Sequence, residues 1–561
     1  MRAAAAVAVA LAVGAAAVAL TRATEDERAA RDDGAPAVRP CDVDRRLLER
    51  VARGYVPHRS GDVVTIERLP HGYGTRHSTP YPYTQEVPLL LYGPGYVRAG
   101  VAPRRPVTVA DLAPTYAELL GFDAFPRRDG RVLRDALVPA AERPVPPAVI
   151  VTVVWDGGGD NVLRQWPGAW PRLRALARRA AWYRNATVGS SPSITPSVHA
   201  TIGTGAFPSG HGIPDIKMRV GARIVDAWEG ESPRNLRMRT LADLFDAAHG
   251  NEPLVGLVAR DFWHAGMIGH GSFLPEGDRD VAVLDDLDAV EFHTNERFYE
   301  LPPYLLGVDG LDALVDELDQ RDGRADGRWL GNPLVFDGRI RQTPAWSVLQ
   351  TRKIVQLLRT EGFGADDVPD LFFTNYKSVD LAGHYWDLYA PEVRDDLAEQ
   401  DRQLALLVDT LDRVVGRGRY VLALTADHGL APHPGSRDGW SIDAAEMKAD
   451  VERALAPRSR RPLVVSHRGY QLYLDHGVMR AEGVSADDVA AFVRDYRLGD
   501  NVSDANRSRL PKFDDRRRER LYLTALTPEE LFDALDCGAQ ARRARSASSA
   551  ARATNSALPS R

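Results

Sequence analysis

Residues 147–161 read PAVIVTVVWDGGGDN. A nearly unbroken apolar, β-branched run, Val149 to Trp155, ends in Asp156 and a glycine turn. A strand apolar on both faces must be covered on both, which places it in a parallel sheet flanked by helices. The same grammar recurs twice. In 369–387, PDLFFTNYKSVDLAGHYWD, Asp380 and His384 follow a second run; in 417–433, RGRYVLALTADHGLAPH, a third run ends in Asp427, His428 and Gly429. Helical patterns separate them, WPRLRALARRA at 170–180 and EVRDDLAEQDRQLALLVDTLDRVV at 392–415. The alternation predicts a three-layer α/β/α fold with a largely parallel central sheet and loop insertions over the site. Ligands in such sheets bind beyond the carboxyl ends of the strands, where all three acids fall. One Asp beside Gly is ordinarily a turn residue; three, two of them with a histidine adjacent or at i+4, point to a site.

The chain has 561 residues, enough for one large α/β domain with insertions. Its composition is ordinary, 44% hydrophobic and 26% charged, and its net charge of -6 comes without a long basic run. Nucleic-acid binding through a basic face is therefore not expected. Residues 1–20, MRAAAAVAVALAVGAAAVAL, fit a signal peptide or a membrane anchor, so the protein is expected outside the cytoplasm, secreted or anchored by residues 3–20. A polar linker follows at 21–40, and VPAAERPVPP at 139–148 reads as a second linker. The segment 270–345, rich in Asp, Gly and Pro, is expected to form insertions over the site. The Ala/Arg/Ser tail, 538–561, is expected to be disordered. The two cysteines are Cys41 and Cys537; in an exported protein they can pair.

Asp and His offer the oxygen and imidazole donors that divalent ions such as zinc accept. The i, i+4 spacing of Asp380 and His384 lets both reach one ion. Residues 189–213, GSSPSITPSVHATIGTGAFPSGHGI, put a hydroxyl-rich loop ahead of a short helix. A Ser or Thr there lies at the positive end of the helix dipole, where a phosphate is favoured. An N-cap role is the plain alternative.

WDGGG, TPSVHATIGTGAFPSGHGI, DLAGH and TADHG, in that order over roughly 149–430, resemble the type I phosphodiesterase/nucleotide pyrophosphatase branch of the alkaline phosphatase superfamily. The resemblance implies an enzyme that hydrolyses phosphoric esters, either phosphodiesters and nucleotide pyrophosphates or phosphomonoesters. It also implies two zinc ions and a covalent phospho-threonine. Carried over, Thr195 is the nucleophile, with Ser193 its rival, and Asp156, Asp427 and His428 hold one ion. Asp380 and His384 hold the other and need one more histidine. The expected partner is a small phosphorylated substrate; no protein partner is indicated.

That histidine comes near the C-terminus in the family, yet this chain has none after His476. The closing motif of the family is similar instead to HSTPYPYTQEVPLLLYGPG at 77–95, flanked by RGYVPHRSGDVV, VTVADLAPTYAELLGF and DGRVLRDAL. The resemblance thus implies a circular permutation, with 41–138 equivalent to the family's C-terminal part and 149–537 forming the rest of the same catalytic domain. It makes His77 the missing ligand, and it implies a Cys41–Cys537 disulfide across the point where the backbone was cut. His433, His467 and His476 are the reserve ligands; His199 is expected to support the site or the core, and His211 to shape a turn. Many members carry an Asn shortly after the HGI triplet, where this chain has Pro214 to Arg219. Lys217 or Arg219 is expected there to bind phosphoryl charge, a solvated surface role being the alternative. A sulfatase is disfavoured, because the nucleophile loop lacks the Cys/Ser-x-Pro-x-Arg signature. A non-catalytic, metal-stabilised surface binding protein and a phosphomutase-type phosphotransferase stay open as alternatives.

Overall fold

Val149–Trp155 is a strand with all seven residues buried, as its composition requires. The structure, a computed structural model, describes residues 38–285, 290–335, 337–468 and 470–537. The readings for residues 1–20, for most of 21–40 and for 538–561 lie outside the described residues. Among the described residues no helix is long and apolar enough to cross a membrane.

The strands of the two larger sheets are, in chain order, β1 Val63–Glu67, β2 Leu89–Tyr92, β3 Val149–Trp155, β4 Ala181–Tyr183, β5 Val255–Ala259, β6 Val281–Asp285, β7 Phe292–His293, β8 Asp370–Tyr376, β9 Tyr420–Thr425, β10 Val464–Arg468, β11 Gln471–Leu474 and β12 Tyr522–Leu526. Eight of them form one sheet in the order β7-β6-β5-β8-β3-β9-β2-β4. Strands β6, β5, β8, β3 and β9 run parallel. β2 lies antiparallel to β9 and to β4, and β7 antiparallel to β6. Alternate residues of β3 enter opposite layers: Ile150 and Val154 face one core, Val149, Val151, Val153 and Trp155 the other. Each fully buried Val or Ile there is worth about 1.5–3 kcal/mol. β2, from early in the chain, obeys the same rule, with Leu89 and Leu91 on one side and Leu90 and Tyr92 on the other.

Four helices matter to the site: α1 Arg45–Gly54, α2 Thr195–Thr204, α3 Ser378–Trp386 and α4 Pro391–Leu411. α4 begins with Pro391 and buries Val393, Leu397, Leu404, Leu407 and Leu411, a stripe at helical spacing. α2 is buried along its whole length and stops at Gly205, whose φ of 69° is left-handed. The 270–345 segment is in part built into the large sheet. It supplies β6 and β7, and its Trp329 packs edge-on against Trp386 of α3 at 5.6 Å.

A second sheet, β10-β11-β1-β12, is antiparallel throughout and was not anticipated. It has a core of its own that includes Trp440, Leu472, Phe513 and Tyr522. Beside it α1 packs Leu47, Leu48 and Val51 against Leu526 and Leu531. There Cys41 and Cys537 form the expected disulfide, with Cα atoms 5.7 Å apart and a sequence separation of 496.

Candidate metal centre

The expected acids do stand beyond the carboxyl ends of their strands. Asp156 follows β3 directly, and Asp427 and His428 follow β9. Gly157 turns the chain away with φ 68°; a Cβ there would lie 3.0 Å from the Asp380 backbone, so only glycine lets α3 come this close. Its N–H donates to Asp427 Oδ1 at 3.1 Å. Asp380 and His384 lie one turn apart on α3, and Thr195 opens α2.

His77 arrives from the other end of the sequence. Its Nδ1–H donates to Ser193 O (3.0 Å), and Thr75 Oγ1 donates to the His384 carbonyl (3.0 Å). That leaves His77 Nε2 facing His384 Nε2 at 3.2 Å and Asp380 Oδ1 at 3.5 Å. His384 Nε2 also lies 3.5 Å from Asp380 Oδ1. His428 Nε2 is 3.2 Å from Asp427 Oδ2, 3.4 Å from Asp156 Oδ1 and 3.9 Å from Asp380 Oδ1. The result is two groups of donor atoms that share His428: His77–Asp380–His428 and Asp156–Asp427–His428.

Three buried atoms in these groups, Asp380 Oδ1, Asp427 Oδ2 and His428 Nε2, have no hydrogen-bond partner. Orphaned buried polar atoms are costly and need an explanation. A donor set of carboxylate oxygens and imidazole nitrogens fits divalent cations of the zinc type. Burial and the adjacent His428 push the His77 ring well below the usual histidine range, so it stays neutral. Burial also opposes charge on His428, but Asp427 and its other acidic neighbours hold it up at about 9.

Three residues that the sequence reading missed complete the centre. Lys377, just ahead of α3, donates to Asp156 Oδ1 at 2.8 Å and to Thr195 Oγ1 at 3.0 Å, and pairs with Asp380 Oδ2 at 2.9 Å. Burial opposes its charge, and Asp156 and Asp380 outweigh that and raise its pKa. Asn375, at the end of β8, donates to Asp156 Oδ2 at 3.0 Å. His264, in the turn after β5, faces Asp156 Oδ2 at 3.6 Å, with Asp261 behind it at 3.3 Å.

The rival nucleophile is engaged elsewhere: Ser193 Oγ donates to the His77 carbonyl at 2.9 Å. His199 lies under the site, donating from Nδ1 to Thr195 O and accepting from Asn375 Nδ2. His211 braces its turn, accepting from Ile213 N–H and bonding Thr201 Oγ1. The reserve histidines have other surroundings. His433 accepts from Gly435 N–H, His467 lies tilted against Tyr73 with ring centres 5.0 Å apart, and His476 pairs with Asp62. Lys217 and Arg219 are not at the centre; Lys217 pairs with Asp226 and Arg219 with Asp62, each at 2.7 Å. α1 backs the hydroxyl-rich loop ahead of α2: Arg50 O accepts from Ser191 N–H, and a Cβ on Gly54 would strike the Ser191 carbonyl.

Among curated proteins, the chain is 24% identical over 363 residues to alkaline phosphatase PafA of Elizabethkingia meningoseptica, a match covering 55% of this chain and 65% of that protein. It is also 24% identical over 411 residues, 63% of this chain and 73% of the relative, to a protein of Myroides odoratus named calcium-transporting ATPase. Among solved structures, wild-type PafA aligns with a TM-score of 0.48 at 20% identity, covering 63% of this chain and 76% of that one. The sequence profile of the family called type I phosphodiesterase / nucleotide pyrophosphatase matches residues 150–522, and the chain belongs to that family.

Proposed function

We propose that the protein is an exported hydrolase of phosphoric esters that acts through a phospho-threonine at Thr195 with two bound zinc ions. In this reading Asp156, Asp427 and His428 hold one ion, and Asp380, His384 and His77 hold the other. The observation that carries it is the convergence of these residues, drawn from positions 77 to 428, around orphaned buried donor atoms. Zinc, when bound, supplies Lewis-acid stabilisation and lowers the pKa of a coordinated hydroxyl or water. The rest of the chemistry belongs to the chain.

The Thr195 hydroxyl stands at the N-terminus of α2, whose free N–H groups and dipole favour a phosphoryl group. Its oxygen attacks phosphorus as the bond to the leaving oxygen breaks, and the departing group takes up a proton. Water then attacks the phospho-threonine; one of its protons restores the Thr195 hydroxyl and its oxygen stays on phosphorus, the second proton remaining on the phosphate released from a monoester and passing to solvent when the product of a diester is released. Asn375 and His264 hold Asp156 from behind, and Ser193 fixes the loop that presents His77.

Two further features belong to this reading. The family match begins at residue 150, whereas β2 and His77 come from before it and join the same sheet and the same cluster; this supports a circular permutation of one catalytic domain. The Cys41–Cys537 bond suits an oxidising compartment and so supports export.

The test is hydrolysis of p-nitrophenyl phosphate and bis-p-nitrophenyl phosphate with zinc content measured, for wild type and Thr195→Ala. Wild type is expected to cleave at least one ester with about two zinc per chain. Equal rates for wild type and variant on both esters would refute the reading.

A further inference from the structure

The two cations that the sequence offers for phosphate recognition, Lys217 and Arg219, are paired with Asp226 and Asp62 instead. Lys377 occupies the position they do not. Its side chain is 9% exposed, and its ammonium touches the reacting oxygen, Thr195 Oγ1, at 3.0 Å. Among the described residues no other cationic side chain touches that hydroxyl. Asp380 divides its two oxygens: Oδ1 faces His77, His384 and His428, while Oδ2 pairs with Lys377 at 2.9 Å. The ammonium therefore leaves the histidine side of the cluster open. It sits beside the nucleophile, within reach of any phosphoryl group that Thr195 attacks.

We propose that Lys377 binds a non-bridging phosphoryl oxygen of the substrate and selects dianionic phosphate monoesters over monoanionic diesters. This rests on the hydrolase reading and narrows its substrate class. Charge balance gives the reason. With the ligand histidines neutral, as metal binding requires, and Thr195 still a protonated hydroxyl, Asp156, Asp380 and Asp427 carry three negative charges against two divalent ions and one ammonium. The excess is two positive charges, matching a monoester dianion; without the ammonium it is one, matching a diester. A buried, charge-assisted hydrogen bond makes that difference felt, because water cannot screen it.

The experiment uses full-length, zinc-loaded protein as wild type, Lys377→Met and Lys377→Arg, with metal content and melting temperature recorded for each. Lys377→Met is expected to lower kcat/KM for p-nitrophenyl phosphate about 100-fold and for bis-p-nitrophenyl phosphate about 10-fold, so that the monoester-to-diester ratio falls about 10-fold, with zinc content unchanged. Calorimetric affinity for inorganic phosphate should fall in parallel with the monoester, and Lys377→Arg should restore most of both. Equal losses on the two esters, loss of zinc, or unchanged phosphate affinity would each overturn the proposal. If Lys377→Met melts more than about 5 °C below wild type, Lys377→Gln replaces it. A wild type that cleaves neither ester sinks the hydrolase reading, while the phosphate arm still tests Lys377.

Discussion

The two sheets of this protein are built on opposite terms. At the carboxyl edge of the large sheet, Asp156, Asp380 and Asp427 crowd together with histidines, and several buried polar atoms go unpartnered. The small antiparallel sheet concentrates aromatic and aliphatic packing and holds the two ends of the fold together, through α1, β1, β12 and the disulfide. The first arrangement is poor for stability and useful for chemistry; the second is built mainly for stability, although Glu67 Oε2, both His467 ring nitrogens and Thr524 Oγ1 go unpartnered there as well. Substitutions at the edge should therefore change activity or metal binding more than folding, and those in and around the small sheet should do the opposite.

The sharpest break is expected from Thr195→Ala. Turnover of any phosphoric ester should fall by about 10³-fold or more, with a melting temperature within about 2 °C of wild type. A large loss of stability at unchanged turnover would invert the comparison. Next, His77→Ala should weaken zinc binding by about 100-fold, read by competition with a chromogenic chelator, while His467→Ala in the small sheet leaves it unchanged. The reverse pattern would remove His77 from the centre. Third, Cys41→Ser with Cys537→Ser should cost about 2–5 kcal/mol in urea unfolding and leave kcat/KM intact at 25 °C.

The smallest effect is one of pH. Glu67 of β1 is 1% exposed, and burial holds its carboxyl up at about 8. A raised carboxyl pKa stabilises the folded protein fully below the unfolded value, near 4.5, and that contribution is lost as pH rises through about 8. Between pH 5 and pH 6.5 wild type should lose on the order of 2 kcal/mol more than Glu67→Gln, by urea unfolding at both values. Parallel pH profiles for the two proteins would show that Glu67 is not the source.

The large sheet was legible because each of its central strands carries its own signature, a two-faced apolar run closed by an acid. Asp156, Asp380, His384, Asp427 and His428 could be found from that local pattern. His77 could not; it sits in a Pro/Tyr loop with no periodicity, and only the family resemblance pointed to it. Residues 254–266, LVGLVARDFWHAG, repeat the strand-then-acid pattern and contain Asp261 and His264, so that pair could have been found. Lys377 and Asn375 look like ordinary polar residues at a strand end, and nothing local marks them. The small sheet escaped notice for a different reason. Its strands have four or five residues, and β1 pairs with partners from the far end of the chain, as Val63 with Leu472 and Thr65 with Ala525. Such pairings leave no periodic trace.

Because Cys41 and Cys537 are bonded, the folded chain is covalently a ring. A protease that cuts the exposed connector near Val145, which is 80% exposed, opens this ring without releasing a fragment. The nicked product would run from the large sheet's first central strand to Cys537, cross the sulfur bridge, and finish with the segment that carries His77. Limited digestion would thus turn one chain order into the other within a single intact molecule, and the pieces would part only when the bridge is reduced and the two shared sheets are unfolded.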